Sequence, residues 1–520
     1  MVSKEVVVPC GIVLITYVFL GLWNRRRRLP PPPGPGFREL DLKALKTHPW
    51  LVFWGWAQKY GPIFSYSVLG KRTVVISSHK ISWDLLEERS AIYSDRPFNW
   101  MGGELANRKH NAFQISTTDP KFKIYRRLMH GGLNPRVSRD YLPIQTEELH
   151  TFMKELESKP ENFKQSIKRY DGRPSLSNIR FTKRVSFTRN ACAIILKVAY
   201  GYPMGGYEDE FVNIIEEGFA ITADLATPGK WFVEFFPWLR FLPDWFPGAG
   251  FKRYAREMKE KLALVDEKPY EWTKKQMATG DYIDSFTSKQ LLGDTSYIDP
   301  SQKEYVVKWC AAALYAGGAD TTVSALTTFF LVMELWPDAQ KKAQQEIDRV
   351  TGGNRLPTLD DYDSLPYVRA LVKEVIRWAP VAPIGLPHAT TQDDVYNGYF
   401  IPKGSKVIAN IWAITHDEEI YPNPSVFEPE RYLGENPQPD AFKYVFGFGR
   451  RSCPGAHLAE QSLFLNMTNI LAVFNISKPK NPDGTEVEPP VVWSTGITTH
   501  LESFPCDIKV RSQHLLASIH

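Results

Sequence analysis

The chain has 520 residues, enough for two to four ordinary domains or one large fold, and its 43% hydrophobic and 23% charged content excludes global disorder. A net charge of +5, carried by short and scattered basic clusters, gives no sustained cationic face and no case for nucleic acid as a partner. Five cysteines, Cys10, Cys192, Cys310, Cys453 and Cys506, lie far apart without a CxxC or Cys/His grouping, so neither a disulfide framework nor a zinc site is indicated.

Val6 to Trp23 is a run of 18 residues without a charge, followed at once by Arg25-Arg26-Arg27-Arg28. At about 1.5 Å per residue it spans roughly 27 Å, close to the hydrocarbon thickness of a bilayer. A cleaved signal peptide carries its charges before the apolar run, and here the order is reversed. The reading is an uncleaved anchor over residues 1–24, with the positive-inside rule holding the remainder in the cytosol. Residues 25–36 continue into Pro30-Pro31-Pro32-Pro33-Gly34-Pro35-Gly36, which cannot be helix and predicts a stiff extended spacer. Residues 37–520 then form one globular body.

That body reads as a small β-rich start and a long helical remainder. Ile63–Val68 and Thr73–Ile76, on either side of Gly70, predict a hairpin. Tyr305 to Trp336 is proline-free and apolar on too many sides for a surface helix, which predicts a helix buried through the middle of the domain. Inside it lies Gly317-Gly318-Ala319-Asp320-Thr321-Thr322. Two glycines inside a helix cost about 1 kcal/mol each relative to alanine. Either a flat cofactor or a closely packed helix compensates. Asp320 and Thr321 form an acid–alcohol pair able to hold water and relay protons, or Thr321 bonds back to its own helix. Pro337 starts the next helix, which ends before Gly352-Gly353. A further helix beginning near Pro366 carries Glu374 and Arg377, whose spacing of three puts them on one face.

The most specific stretch is Phe446 to Gly455, FGFGRRSCPG. It presents Cys453 in a loop built from Gly447, Gly449, Pro454 and Gly455, with Arg450 and Arg451 just before it. Glycines let backbone approach a bulky flat ligand, and nearby arginines favour a thiolate. Such a cysteine suits an axial thiolate to haem iron, the alternative being a buried structural cysteine in a turn. The spacing Phe446-x-x-Gly449-x-Arg451-x-Cys453-x-Gly455 resembles the haem-binding loop of the cytochrome P-450 (haem-thiolate monooxygenase) family. So do Gly317–Thr322, Glu374-x-x-Arg377 and Pro429-Glu430-Arg431-Tyr432, in the family's order. The likeness is greatest to fungal members bound to the endoplasmic reticulum, such as the O-methylsterigmatocystin oxidoreductase-like proteins.

The resemblance implies a mainly α cytochrome P-450 fold with a smaller β-rich region, preceded by a single transmembrane helix. It implies haem b (iron protoporphyrin IX) with Cys453 on the iron and Phe446 and Gly449 in the cofactor loop. Arg126, His388 and Arg451 would meet the propionates. Glu374, Arg377 and Arg431 would form a buried charge network behind the haem, and Asp320 with Thr321 would deliver protons to oxygen at the iron. The family's Trp-x-x-x-Arg reads Phe122-Lys123-Ile124-Tyr125-Arg126 here, so the tryptophan is missing, with Lys123 or Tyr125 to compensate. Substrate contacts would come from the loop Trp100 to Ile115, from Ala313 and Ala316, from Val381, Ala382 and Ile384, and from Gly496-Ile497-Thr498. The aromatic segment Trp231 to Leu239 either dips into membrane lipid, as in family members, or forms an ordinary buried cluster.

The implied activity is insertion of one atom of O2 into a hydrophobic small molecule, in fungal secondary metabolism, on the endoplasmic reticulum membrane. No flavin or dinucleotide fingerprint is present, so electrons would come from an NADPH-dependent diflavin reductase, with a small haem electron carrier as a second donor. The competing readings are a haem-thiolate enzyme that rearranges or dehydrates a peroxide, and a haem-binding protein without catalysis.

Overall fold

The computed structural model describes residues 29–41, 43–158, 185–205 and 209–519. The expected anchor over 1–24 and the four arginines lie outside them. Among the described residues no helix is long and apolar enough to cross a membrane.

The prolines after the arginines do not form a free spacer. The Pro30 carbonyl accepts from Phe400 N at 2.8 Å, the Pro33 carbonyl from Ser65 N at 2.7 Å, and the Pro32 carbonyl from Ser65 Oγ at 2.7 Å. Proline lacks an N–H but keeps its carbonyl, so an extended run can dock on a sheet edge through acceptors alone.

The strand Ile63–Val68 (β1) pairs antiparallel with Lys71–Ile76 (β2), which starts two residues earlier than the alternation predicts. Leu69 and Gly70, both at positive φ, make the tight turn. Near the other end of the chain come His388–Ala389 (β3), Asp394–Tyr396 (β4), Tyr399–Ile401 (β5) and Lys406–Ala409 (β6). β6 lies parallel to β2, giving a sheet of order β1-β2-β6-β3. Two distant stretches of the chain are thereby joined, and the turn bearing Val381–Ile384 is fixed beside them.

The helices that frame the site are Pro49–Tyr60 (α1), Lys121–Leu133 (α2), Leu142–Ser158 (α3), Val185–Tyr200 (α4), Glu210–Leu225 (α5), Gly250–Thr279 (α6), Pro300–Leu335 (α7), Pro337–Thr351 (α8), Pro366–Trp378 (α9) and Ala456–Val473 (α10). α7 begins at Pro300 rather than Tyr305, because Asp299 caps it by accepting from Ser301 N at 2.9 Å. α8 and α9 start on Pro337 and Pro366 as expected, and α8 ends on Gly352 at φ 66°.

α7 joins the two largest apolar clusters. Its first half packs with Phe122, Leu128 and Ile195 of α2 and α4. Its second half packs with Val368 and Leu371 of α9 and with Leu463 and Met467 of α10. Between them Ala316–Gly318 and Asp320–Thr322 are partly accessible although the residues on either side are buried. A helix closed at both ends and open in its middle faces an internal space.

Candidate functional site

α9 supplies a buried ion network. Arg377 Nε and Nη2 each donate to the Glu374 carboxylate at 2.8 Å, and Arg431 Nε donates to it at 3.0 Å. All three side chains have 0% exposure. Glu428 N also donates to Glu374 at 2.9 Å, Arg377 Nη1 reaches the Thr415 carbonyl, and Arg431 Nη1 reaches Gln438 Oε1. Every charge has a partner, which is what burial of charges requires.

The Phe446–Gly455 loop closes on itself, with Cys453 N donating to the Phe446 carbonyl at 2.7 Å. The Phe446 ring stands edge-on to Phe442 at 5.2 Å. Gly447 and Gly449 sit at φ 77° and 50°. A Cβ at Gly449 would meet the Leu86 carbonyl and Ser90 Cβ at 2.6 Å. Gly449 therefore makes room for its own protein neighbours, not for a flat ligand, and its N–H is held by Glu87 Oε2 at 2.5 Å.

Cys453 is accessible, yet protein encloses it. Both hold if the residue borders an internal cavity. Burial pushes its thiol up, while an N–H···S contact at Gly455 and the Arg126 guanidinium pull the other way. The preceding arginines do not provide the local cation: Arg450 is exposed and Arg451 turns toward other carbonyls. Arg126, from α2, does so, donating to the Ser452 carbonyl at 2.8 Å.

Arg451 Nε donates to the Ser94 carbonyl at 2.8 Å and Nη2 to the Ile115 carbonyl. Arg96, which the motif reading missed, donates to the carbonyls of Phe113 at 2.9 Å and of Leu386 and Pro387 at 2.8 Å. Burial and the neighbouring Arg451 push the Arg96 guanidinium down to about 9; burial pushes Arg451 down to about 10. Among the described residues Asp95 is the carboxylate set against Arg96 and Arg451, while Arg126 has Cys453 as its charge neighbour. His388 is buried beside them, pushed down to about 3 by burial and Arg96. Its Nδ1 lies 2.7 Å from the Tyr93 carbonyl, so Nδ1 carries the ring's proton and Nε2 is an acceptor in the neutral form. The signal for Arg96 was a lone arginine in Ser94-Asp95-Arg96-Pro97, just before the loop expected over the site.

Phe122 needs no compensation from Lys123, which is exposed, or from Tyr125, whose hydroxyl donates to the His110 carbonyl at 3.1 Å. Phe122 itself lies under Arg451, with the guanidinium carbon 4.4 Å from the ring centroid. A ring face attracts a desolvated cation, so phenylalanine still holds the arginine without donating a bond.

On α7 the two glycines have different neighbours. A Cβ at Gly318 would come within 2.7 Å of Ile195 Cδ1, so this glycine serves the packing of α4 against α7. At Gly317 the neighbour is Phe113, 3.3 Å from such a Cβ. Phe113 thus overhangs the accessible stretch of α7 while its carbonyl receives Arg96, linking that stretch to the arginine cluster. Thr321 Oγ1 donates to the Gly317 carbonyl at 2.7 Å. The Asp320 carboxylate accepts from the Thr498 hydroxyl and lies 2.9 Å from His500 Nε2.

These bonds bring the C-terminal loop, with Ile497, onto α7. Thr499 N donates to the Val381 carbonyl at 2.9 Å, drawing in the turn that holds Val381 and Ala382. Ala316 faces the same space, whereas Ala313 is buried in the first-half cluster of α7. Ile384 packs instead with Phe53, Phe64 and Ile408 between sheet and α1. A separate surface cleft of about 250 Å³, lined by Trp336, Lys342, Tyr367 and Glu430, shares no residue with this site. No group of three or more His, Cys, Asp or Glu that could hold a bare metal ion occurs among the described residues.

Three guanidiniums beside the Cys453 thiol suit a group that carries two negative charges and offers a metal to sulfur, as haem does with its two propionates. Comparison with known proteins agrees. The cytochrome P450 family model matches residues 29–500. The chain is 38% identical to cytochrome P450 monooxygenase claR of Ampulloclitocybe clavipes, over 98% of this chain and 93% of the relative. It is 36% identical to cytochrome P450 monooxygenase ppsD of Aspergillus oryzae, over 96% and 93%. A solved zebra fish cytochrome P450, determined with abiraterone, superposes with a TM-score of 0.68 at 23% identity, covering 89% of this chain and all of that one. That likeness concerns the fold, whereas the relatives match almost from end to end. The chain belongs to the cytochrome P450 family, whose fold binds haem, and is an oxidoreductase of the monooxygenase class.

Proposed function

We propose that the chain would hold haem b, iron protoporphyrin IX, through the Cys453 sulfur, and that it inserts one atom of O2 into a hydrophobic small molecule while the other leaves as water. The observation that carries this reading is the gathering of three guanidiniums, Arg96, Arg126 and Arg451, around the Phe446–Gly455 loop that presents Cys453, with Arg126 bonded to Ser452 next to it. When bound, haem supplies oxygen activation, and a thiolate ligand pushes electron density toward oxygen and favours O–O cleavage.

The chain's own residues do the rest. Arg96, Arg126 and Arg451 hold the two propionates by charge-assisted bonds. His388 joins them by taking a proton on Nε2, which a nearby anion favours. Phe122 keeps the Arg451 guanidinium in place. Asp320 and the Thr321 hydroxyl, at the accessible stretch of α7, hold and move protons. Phe113, Ala316, Val381, Ala382 and Ile497 are small or apolar and suit a hydrophobic substrate.

Electrons come from an NADPH-dependent diflavin reductase or a small haem carrier. The role we assign lies in fungal secondary metabolism; the likeness to the monooxygenases claR and ppsD supports the oxygen-inserting chemistry. Residues 1–24 anchor the chain in the endoplasmic reticulum membrane with its body in the cytosol. Phe232, Phe241 and Trp245, which are 67%, 73% and 80% exposed, support contact of the body with lipid.

The test is the carbon monoxide difference spectrum of the reduced protein beside Cys453→Ser. A red-shifted Soret band in the wild type and its loss in the variant is the expected result. Haem bound without that band would remove Cys453 from the iron, and no haem taken up by well-folded protein would end the reading.

A further inference from the structure

The loop between Trp493 and Leu501, which pair as an isolated bridge, holds both oxygens of the Asp320 carboxylate. The Thr498 hydroxyl donates to Oδ2, and His500 Nε2 lies 2.9 Å from Oδ1. The loop is itself rigid. Ser494 N donates to the His500 carbonyl at 2.7 Å, and His500 N donates to Ser494 Oγ at 3.0 Å. Gly496 has φ 155°, and a Cβ there would meet the Thr498 carbonyl at 2.8 Å. One turn further along α7, Ser324 Oγ donates to the Thr499 carbonyl at 2.6 Å. Thr498 and His500, alternate residues on one side of the loop, are thus aimed at a single carboxylate.

A second observation concerns the imidazole. His500 Nδ1 is buried and has no hydrogen-bond partner among the described residues. Buried polar atoms are normally satisfied, and a histidine that merely held the loop together would be expected to use both nitrogens. Here the polar ring is turned so that its bonded nitrogen meets Asp320.

We infer that Thr498 and His500 are positioning residues that set the orientation of Asp320, and so govern when its carboxyl can pass a proton toward the cavity. The inference rests on the proton-delivery role proposed for Asp320. A carboxylate whose two oxygens are both engaged by a loop must release one partner before that oxygen can face elsewhere. Ordering of the acid thus resides in a loop 178 residues away in sequence.

The test uses full-length, haem-loaded protein with NADPH and a diflavin reductase, without added substrate. Oxygen takes two electrons and two protons to leave as hydrogen peroxide, and four of each to leave as two waters. The ratio of these products therefore reads proton delivery. In Thr498→Val and His500→Leu the ratio is expected to shift by about threefold or more, with 1-phenylimidazole affinity unchanged. His500→Gln, which keeps a donor, should restore it. The shift should vanish in an Asp320→Asn background, since the residues act through that acid.

A readout independent of turnover is hydrogen exchange at the amides of 494–501, expected to quicken about tenfold in Asp320→Ala. Unchanged product ratios in both loop variants, or equal shifts with and without Asp320, would overturn the positioning role. Should Asp320→Asn alone leave the ratio untouched, the acid's own role falls, and exchange still reports whether the clamp exists. If His500→Leu loses its carbon monoxide band, Thr498→Val, a hydroxyl-to-methyl change, carries the test.

Discussion

Two groups of arginines lie buried in this molecule, and they differ in charge balance. Arg377 and Arg431 share Glu374, Arg431 Nη2 also lies 3.4 Å from Glu428 Oε2, and the remaining N–H groups go to carbonyls and Gln438, so two cations meet two carboxylates. Arg96, Arg126 and Arg451 also bond to carbonyls, but among the described residues Asp95 is the carboxylate set against Arg96 and Arg451, and Arg126 faces Cys453. Burial costs both groups solvation. The first recovers it internally and is a structural device. The second recovers it only when an anion arrives, and is a binding site. Burial alone does not separate structure from function. The local charge sum does.

The comparison predicts its own largest effect at Glu374. Glu374→Ala strands two buried guanidiniums, and a loss of about 3–5 kcal/mol is expected, seen as a lowered urea midpoint or loss of soluble protein. A midpoint near wild type would mean that the network is not self-contained. Next in size is Arg126→Leu, in the cluster with excess charge. Haem affinity should fall about tenfold or more, the size of one charge-assisted bond, while the haem-free chain keeps its urea midpoint. Equal losses in both forms would erase the distinction between the groups.

Each group also has a depressed histidine. His416, stacked on Trp412 at 4.2 Å, is pushed down to about 3 by burial and by Arg377, and His388 is pushed down equally far. A histidine whose folded pKa lies below its unfolded value near 6.5 costs stability as pH falls, because the unfolded chain takes the proton more readily. Between about pH 6.5 and 3 each should contribute a slope of about 1.4 kcal/mol per pH unit. His416→Gln should remove its share with or without haem. His388→Gln should do so mainly without haem, since a bound propionate favours the charged ring. Urea titrations across that pH range read both slopes. The smallest effect is at Phe122→Leu, which removes the ring under Arg451 and should cost about 1 kcal/mol, measured by the same titrations.

Much of the fold was legible because its signals are local. Pro337 and Pro366 start helices where proline is tolerated, Gly352 ends one at positive φ, and Gly70 turns the hairpin. The spacing of Glu374 and Arg377 already places them one turn apart. The reading faltered where a residue's purpose lay with a distant neighbour. Gly318 was open between a cofactor and a helix, and Ile195 decides for the helix. Gly449 looked like an approach for a flat ligand, and Leu86 and Ser90 fill that approach. The proline run read as a spacer, and Ser65 and Phe400 dock it.

By itself, then, the chain's order of residues determined the family, the cysteine loop, the central helix and the pairing of Glu374 with Arg377. Each is written within a few residues, where backbone geometry and side-chain spacing act directly. Only the tertiary structure decided that Arg96 joins the cation cluster, that Phe122 stacks on Arg451, and that Thr498 and His500 hold Asp320. Those pairings join residues from dozens to hundreds of positions apart, brought together by apolar packing around α7. Packing is a property of the assembled core, and no local pattern records which polar groups it will leave face to face.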